Sequence, residues 1–150
     1  MERDRVDLNN WMSSIYFFHI FVLAVLSVIA RSSRSNLLVT RTGASGIIFS
    51  NKNGEYSNSM DCHWTLSSNT NVKLVFFRFV TESCCDNVYV YDGGSASSPL
   101  VGKFSGTSRP ANVTSSHNKL FIRFKSDRSN TGTGFAASYH GKQVVKKSTS

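Results

Sequence analysis

Beyond residue 30 the chain sustains no 3.6-residue apolar period over ten positions, and this excludes a helical core for that part of the molecule. Short runs of β-branched and aromatic residues recur about every dozen positions, broken by Gly, Asn, Ser or Asp. The runs are GIIFS (46–50), CHWTLSS (62–68), VKLVFFRFV (72–80), NVYVYDGG (87–94), LVGKFSG (100–106), KLFIRFKSD (119–127) and GFAASYHGK (134–142). Within them apolar and polar positions alternate with period two, which places Leu120, Ile122 and Phe124 on one face and Lys119, Phe121, Arg123 and Lys125 on the other. Val88 and Val90 form a second inward row, Val72, Leu74 and Phe76 a third, and Phe135, Ala137 and Tyr139 a fourth. Eleven Phe and five Tyr supply the mass for such a core. The expected class is an all-β, antiparallel β-sandwich.

The N-terminus is a different material. Residues 15–30, IYFFHIFVLAVLSVIA, carry no charge and only His19 and Ser27 as polar interruptions. The run is shorter than the roughly 20 residues that span a bilayer but matches a long signal-peptide core. Val28 and Ala30 occupy positions −3 and −1 of a small-residue cleavage site. Residues 1–30 are therefore expected to be a signal peptide, with a retained signal anchor as the alternative, and the localisation is extracellular. Residues 31–44, rich in Ser and Arg, are expected to be a linker or a loosely held edge, residues 45–141 the domain, and residues 142–150 a basic tail.

The net charge of the whole chain is +8. Residues 1–30 hold two basic and three acidic residues, so removing them from the 17 basic and nine acidic of the chain leaves 15 and six, a net of +9. The six acids are Glu55, Asp61, Glu82, Asp86, Asp92 and Asp127. A basic balance invites nucleic acid as a partner, yet no helix-turn-helix, zinc-finger or RRM pattern accompanies it. Nor is there an H-E-x-x-H, a G-x-S-x-G or a Gly-rich phosphate loop, so no enzyme is expected. Asp92 begins an Asp-Gly turn, which accounts for it.

The ordered set SGIIFS, EYSNSMDCHWTL, VKLVFFRFVTES, CDNVYVYDGG, RPANVTSSHNKLFIRFKSDRS and GFAASY resembles a CUB domain and covers nearly all of residues 45–140. The resemblance implies an extracellular jelly-roll sandwich that acts as an interaction module without catalysis. It also implies calcium (Ca2+) at one end of the sandwich, holding a basic side chain of a protein partner. Carried over position by position, the ligands are Glu82, Asp86, Asp127 and Asn130, with Tyr56 orienting the Glu. The chemistry suits the ion, which takes six to eight hard oxygens. The Glu and first Asp stand four apart here, where the family's fuller form spaces them about eight.

The family's four cysteines are reduced to three, Cys62, Cys84 and Cys85. Leu37 or Leu38 stands where a partner for Cys62 would be, and Ser105 where the fourth cysteine would fall. A vicinal Cys84–Cys85 bond, intersubunit pairing through Cys62 and a buried Cys62 thiol all remain open. A missing bond is expected to cost about 2–5 kcal/mol unless packing compensates. No C-x-x-C or Cys/His spacing suggests zinc. Asn112-Val113-Thr114 is a glycosylation sequon. Lys119, Arg123, Lys125 and Arg128 form a basic row. If that row binds a polyanion, the chain is instead a calcium-independent, heparin- or carbohydrate-binding adhesin of the spermadhesin type. A third reading is the accessory CUB segment of a secreted metalloprotease.

Overall fold

The computed structural model describes residues 38–42 and 45–141. The expected signal segment 1–30, the first part of the linker and the basic tail 142–150 lie outside the described residues. Nine strands appear in chain order: β1 (Leu38–Thr42), β2 (Ser45–Phe49), β3 (Asp61–Ser67), β4 (Val72–Val80), β5 (Asn87–Tyr91), β6 (Leu100–Phe104), β7 (Val113–Thr114), β8 (Lys119–Lys125) and β9 (Gly134–Gly141). Among the described residues there is no helix. One sheet runs β1-β3-β8-β5-β6 and the other β2-β9-β4-β7.

Every run singled out in the sequence contains a strand. The four inward rows are buried as the alternation requires, and they meet between the sheets. Phe135 on β9 sits at the centre of this layer. Its ring lies 5.4 Å from Trp64, 5.8 Å from Phe76 and 5.9 Å from Phe124, all close to edge-on. Gly134 just before it has φ of +73°, and a Cβ there would fall 1.9 Å from Ser50 Oγ. That hydroxyl accepts the Phe135 N–H, so the close approach is what lets the last strand enter the sheet.

Three features escape simple alternation. β1 falls inside the stretch expected to be a linker. It pairs with β3 in parallel, from Leu38↔His63 to Thr42↔Ser67, while all other pairs are antiparallel. Val39 packs against the core from this edge position. β4 carries an irregularity between Phe76 and Arg78 against β9. The bulge turns Phe79 inward beside Phe76, their centroids 5.6 Å apart, and shifts the facing of every residue that follows on the way to Glu82. Phe121 points outward yet is buried, because Tyr91 and His63 close over it at 5.9 and 5.5 Å.

Candidate metal centre

One end of the sandwich gathers the end of β4, the start of β5, the end of β8 and the loop that leads into β3. These elements deliver Glu82, Asp86, Asp127 and Tyr56 respectively. One carboxylate oxygen each from Glu82, Asp86 and Asp127 lies within 4.8 Å of the others. The three carboxylates among the four residues expected from the sequence to bind a cation are thus together.

Asp86 is fully buried. Its Oδ2 accepts the hydroxyl of Tyr56, and its Oδ1 accepts the backbone N–H of Asp127 at 2.8 Å. Tyr56 is itself buried, and burial is the larger reason its phenol is pushed well above the ordinary tyrosine range, followed by the bond to Asp86. It therefore stays a neutral donor. The same hydroxyl oxygen accepts the Glu82 N–H at 3.1 Å. The role expected for Tyr56 needs correction on this point. Its hydroxyl bonds the carboxylate of Asp86 and the backbone N–H of Glu82, with no bond to the Glu82 carboxylate.

Asp127 Oδ1 caps its own turn by accepting the Ser129 N–H at 2.8 Å. Asn130, in the left-handed region at φ 47°, donates its Nδ2 to Glu82 Oε1 at 2.7 Å. Glu82 Oε2 is buried and has no hydrogen-bond partner. An orphaned carboxylate oxygen on a residue grouped with two further carboxylates is costly unless a cation completes the set. The only ion pairs among the described residues lie elsewhere, on Asp61. The hard oxygen donors and the orphaned atom fit a hard cation such as calcium, which Glu82, Asp86, Asp127 and Asn130 would hold.

The loop between Glu82 and Asp86 contains the cysteines. Cys84 and Cys85 form a disulfide with each other. Ser105 donates its hydroxyl to the Ser83 carbonyl at 2.7 Å, a hydrogen bond at the place where the family has its second bridge. Cys62 is buried on the inward side of β3, at 1% exposure. That place in the core sets Cys62 away from the surface, where a second chain would have to reach it for intersubunit pairing. His63 points to the opposite face and bonds Asp61 at 2.8 Å.

The other expected sites separate. Lys119 and Lys125 stand exposed on the outer face of the five-stranded sheet. Arg123, between them, is held by Asp61 through Nε at 2.7 Å and Nη2 at 2.5 Å. The guanidinium beside Asp61 holds that carboxyl below its ordinary range, with burial opposing and His63 assisting. Arg123 is thus neutralised within the row, because Asp61 sits on the same face of β3, two residues from His63, the register partner of Arg123. Arg128 belongs to the loop after Asp127, where its carbonyl accepts Asn58 Nδ2 at 3.0 Å, and not to the strand face. Asn112 is exposed just before β7. Asp92 does more than begin a turn: it accepts the N–H of Ser116 at 2.9 Å and its hydroxyl at 2.5 Å. That link runs between loops distant in sequence, so local turn chemistry could not reveal it.

A sequence profile described as the CUB domain matches residues 39–139. Human cubilin is 38% identical over 91 residues, and pig cubilin is 38% identical over 90. The human match takes in 57% of this chain and 2% of the length of cubilin, so the chain spans only a small part of these relatives. Among solved structures, the full extracellular region of zebrafish Gpr126/Adgrg6 aligns over 75% of this chain and 15% of its own, with 27% identity and a TM-score of 0.62. The MASP-1 CUB2 domain bound to Ca2+ aligns over 71% of this chain and 99% of its own, with 25% identity and a TM-score of 0.60. The two-sheet sandwich and the profile match agree over nearly the same residues, and this chain belongs to the CUB domain family.

Proposed function

We propose that this chain is a secreted, non-enzymatic binding module whose contact surface is organised by calcium at Glu82, Asp86, Asp127 and Asn130. The observation that carries the reading is the orphaned Glu82 Oε2 beside the carboxylates of Asp86 and Asp127. Calcium, when bound, supplies the positive charge that lets three carboxylates share one site. Each residue has its own part. Asp86, locked by Tyr56 and by the Asp127 N–H, is the fixed inner ligand. Glu82 and Asp127 are only half-buried and form the rim. Three carboxylates against a divalent ion leave a net negative charge at that rim, which suits a Lys or Arg of an extracellular protein partner. Asn130 ties its amide to Glu82 and closes the side of the site.

Export is supported by the apolar segment 15–30 and by the disulfide, which persists in oxidising compartments. The exposed sequon at Asn112 is then a glycan site. Calorimetric titration of the full chain with calcium tests the reading. One ion per chain is expected, and Asp127→Ala should abolish the heat of binding. A flat titration of the unaltered chain would refute it.

A second, calcium-independent reading has one observation in its favour. On the outer face of the five-stranded sheet Lys103 lies over the Tyr89 ring at 5.7 Å, and the Tyr89 and Tyr91 rings are 6.5 Å apart. With Lys119 and Lys125 these half-exposed rings form a cationic, aromatic surface suited to an acidic glycan.

A further inference from the structure

The loop that joins two of the calcium ligands is closed by a bond that chemistry can break. Glu82 and Asp86 are separated by Ser83, Cys84 and Cys85, and the disulfide lies between the last two. The outer ends of this loop are fixed by the fold. Thr81 bonds Gly106 through its backbone at 2.9 Å and donates its hydroxyl to the Asp86 carbonyl at 3.0 Å. Asp86 is buried and doubly held. The middle of the loop is fixed more lightly, by Ser105 on the Ser83 carbonyl and by Asn87 Nδ2 on the Cys85 carbonyl at 2.8 Å. The covalent ring of the disulfide is the remaining restraint. It also lies against the site, since a sulfur from each cysteine falls within 4.8 Å of a Glu82 oxygen.

We infer that the Cys84–Cys85 disulfide is a redox control on the calcium site, with tight binding in the oxidised form and weak binding in the reduced form; this rests on the calcium reading above. In the oxidised chain the loop is preorganised, and calcium binding orders little more than the Glu82 side chain. Reduction takes two electrons and two protons from a thiol reductant: the S–S bond breaks, two cysteine thiols form, and two thiol groups of the reductant leave joined as a disulfide. The open loop regains backbone freedom between the two ligands, and binding must remove it again. Asp86 keeps its place because Tyr56 and Asp127 hold it, so the loss falls on Glu82. Access favours the exchange. Cys84 is exposed and Cys85 half-buried, so an attacking thiolate reaches the bond without unfolding the sandwich. Cys62, at 1% exposure, is shielded from the same reagent.

The experiment is calorimetric titration of the folded full chain with calcium, oxidised and after treatment with dithiothreitol. The same pair of titrations is run on the Cys84→Ser/Cys85→Ser variant. The oxidised chain should bind on the order of tenfold more tightly than the reduced one, the freedom of one or two backbone residues being at stake. The double variant should match the reduced chain and ignore the reductant. Equal affinity of the oxidised and reduced chains overturns the control while leaving the calcium site standing. Absence of binding in every form overturns the site and the control together.

Discussion

At Asp86 burial and polarity are in direct conflict. A carboxyl group with no exposed surface is among the costliest things to place in a protein interior. The fold resolves the conflict with two fixed donors, the Tyr56 hydroxyl and the Asp127 N–H. These arrive from elements far apart in sequence, so the acid also ties β5 to the loop after β8. Asp61 is the contrasting case. It is a surface acid, paired with Arg123 and His63, and its carboxyl is held below the ordinary range chiefly by the Arg123 hydrogen bonds. A depressed carboxyl stabilises the fold above its unfolded value, near 3.8, and loses that contribution as the pH falls through the lower, folded value. Unfolding of Asp61→Asn and of the unaltered chain, compared from pH 7 to pH 2, should show a constant deficit in the variant of roughly 1 kcal/mol above pH 5. That deficit should shrink below about pH 4. A deficit that stays constant to pH 2 would mean that the pair contributes nothing through its charge.

At the scale of the strand, period-two alternation told core from surface along most of the long runs, the end of β4 and Phe121 on β8 excepted. The inward rows of β4, β5, β8 and β9 were legible from residue types alone, because each strand buries one face against the other sheet. β1 was not, since a five-residue edge strand among Ser and Arg has too little buried face to leave a pattern. The two-residue β7 has still less. The bulge in β4 was equally hidden, for Val-Phe-Phe-Arg-Phe is compatible with either facing, and only the pairing with β9 decides. The sequence showed a row of four cations, three of them on β8, without showing which are engaged. The pairing of β3 with β8 brings Asp61 to Arg123 and leaves Lys119 and Lys125 open. If the outer face binds acidic glycans, Lys119→Ala and Lys125→Ala together should cut retention on immobilised heparin severalfold at low salt. Arg123→Ala should change it little. Loss on Arg123→Ala equal to that on the lysine pair would put the guanidinium on the ligand.

At the scale of the molecule, the acidic end was legible because the family resemblance placed Glu82 and Asp86 on one segment and Asp127 and Asn130 on another, and the folded chain brings those segments to one end. What the residues alone could not convey is the order of support within the site. Tyr56 gives its hydroxyl hydrogen to Asp86 and not to the Glu82 carboxylate, and this follows from packing across thirty residues of chain. The cysteines show the same limit. Their number left three arrangements open, and the choice depends on Cys62 lying in the core and on Cys84 and Cys85 lying at the rim.

The central claim is that the folded chain binds calcium through this cluster, and thermal unfolding of the full chain in millimolar calcium and in EDTA tests it most directly. A ligand that binds only the folded state stabilises it by about 2.7 kcal/mol when present at a hundredfold over its dissociation constant. For a domain of this size the midpoint should then rise by several degrees in calcium, and Asp127→Ala should remove the rise. A midpoint that is the same in calcium and in EDTA would contradict the account.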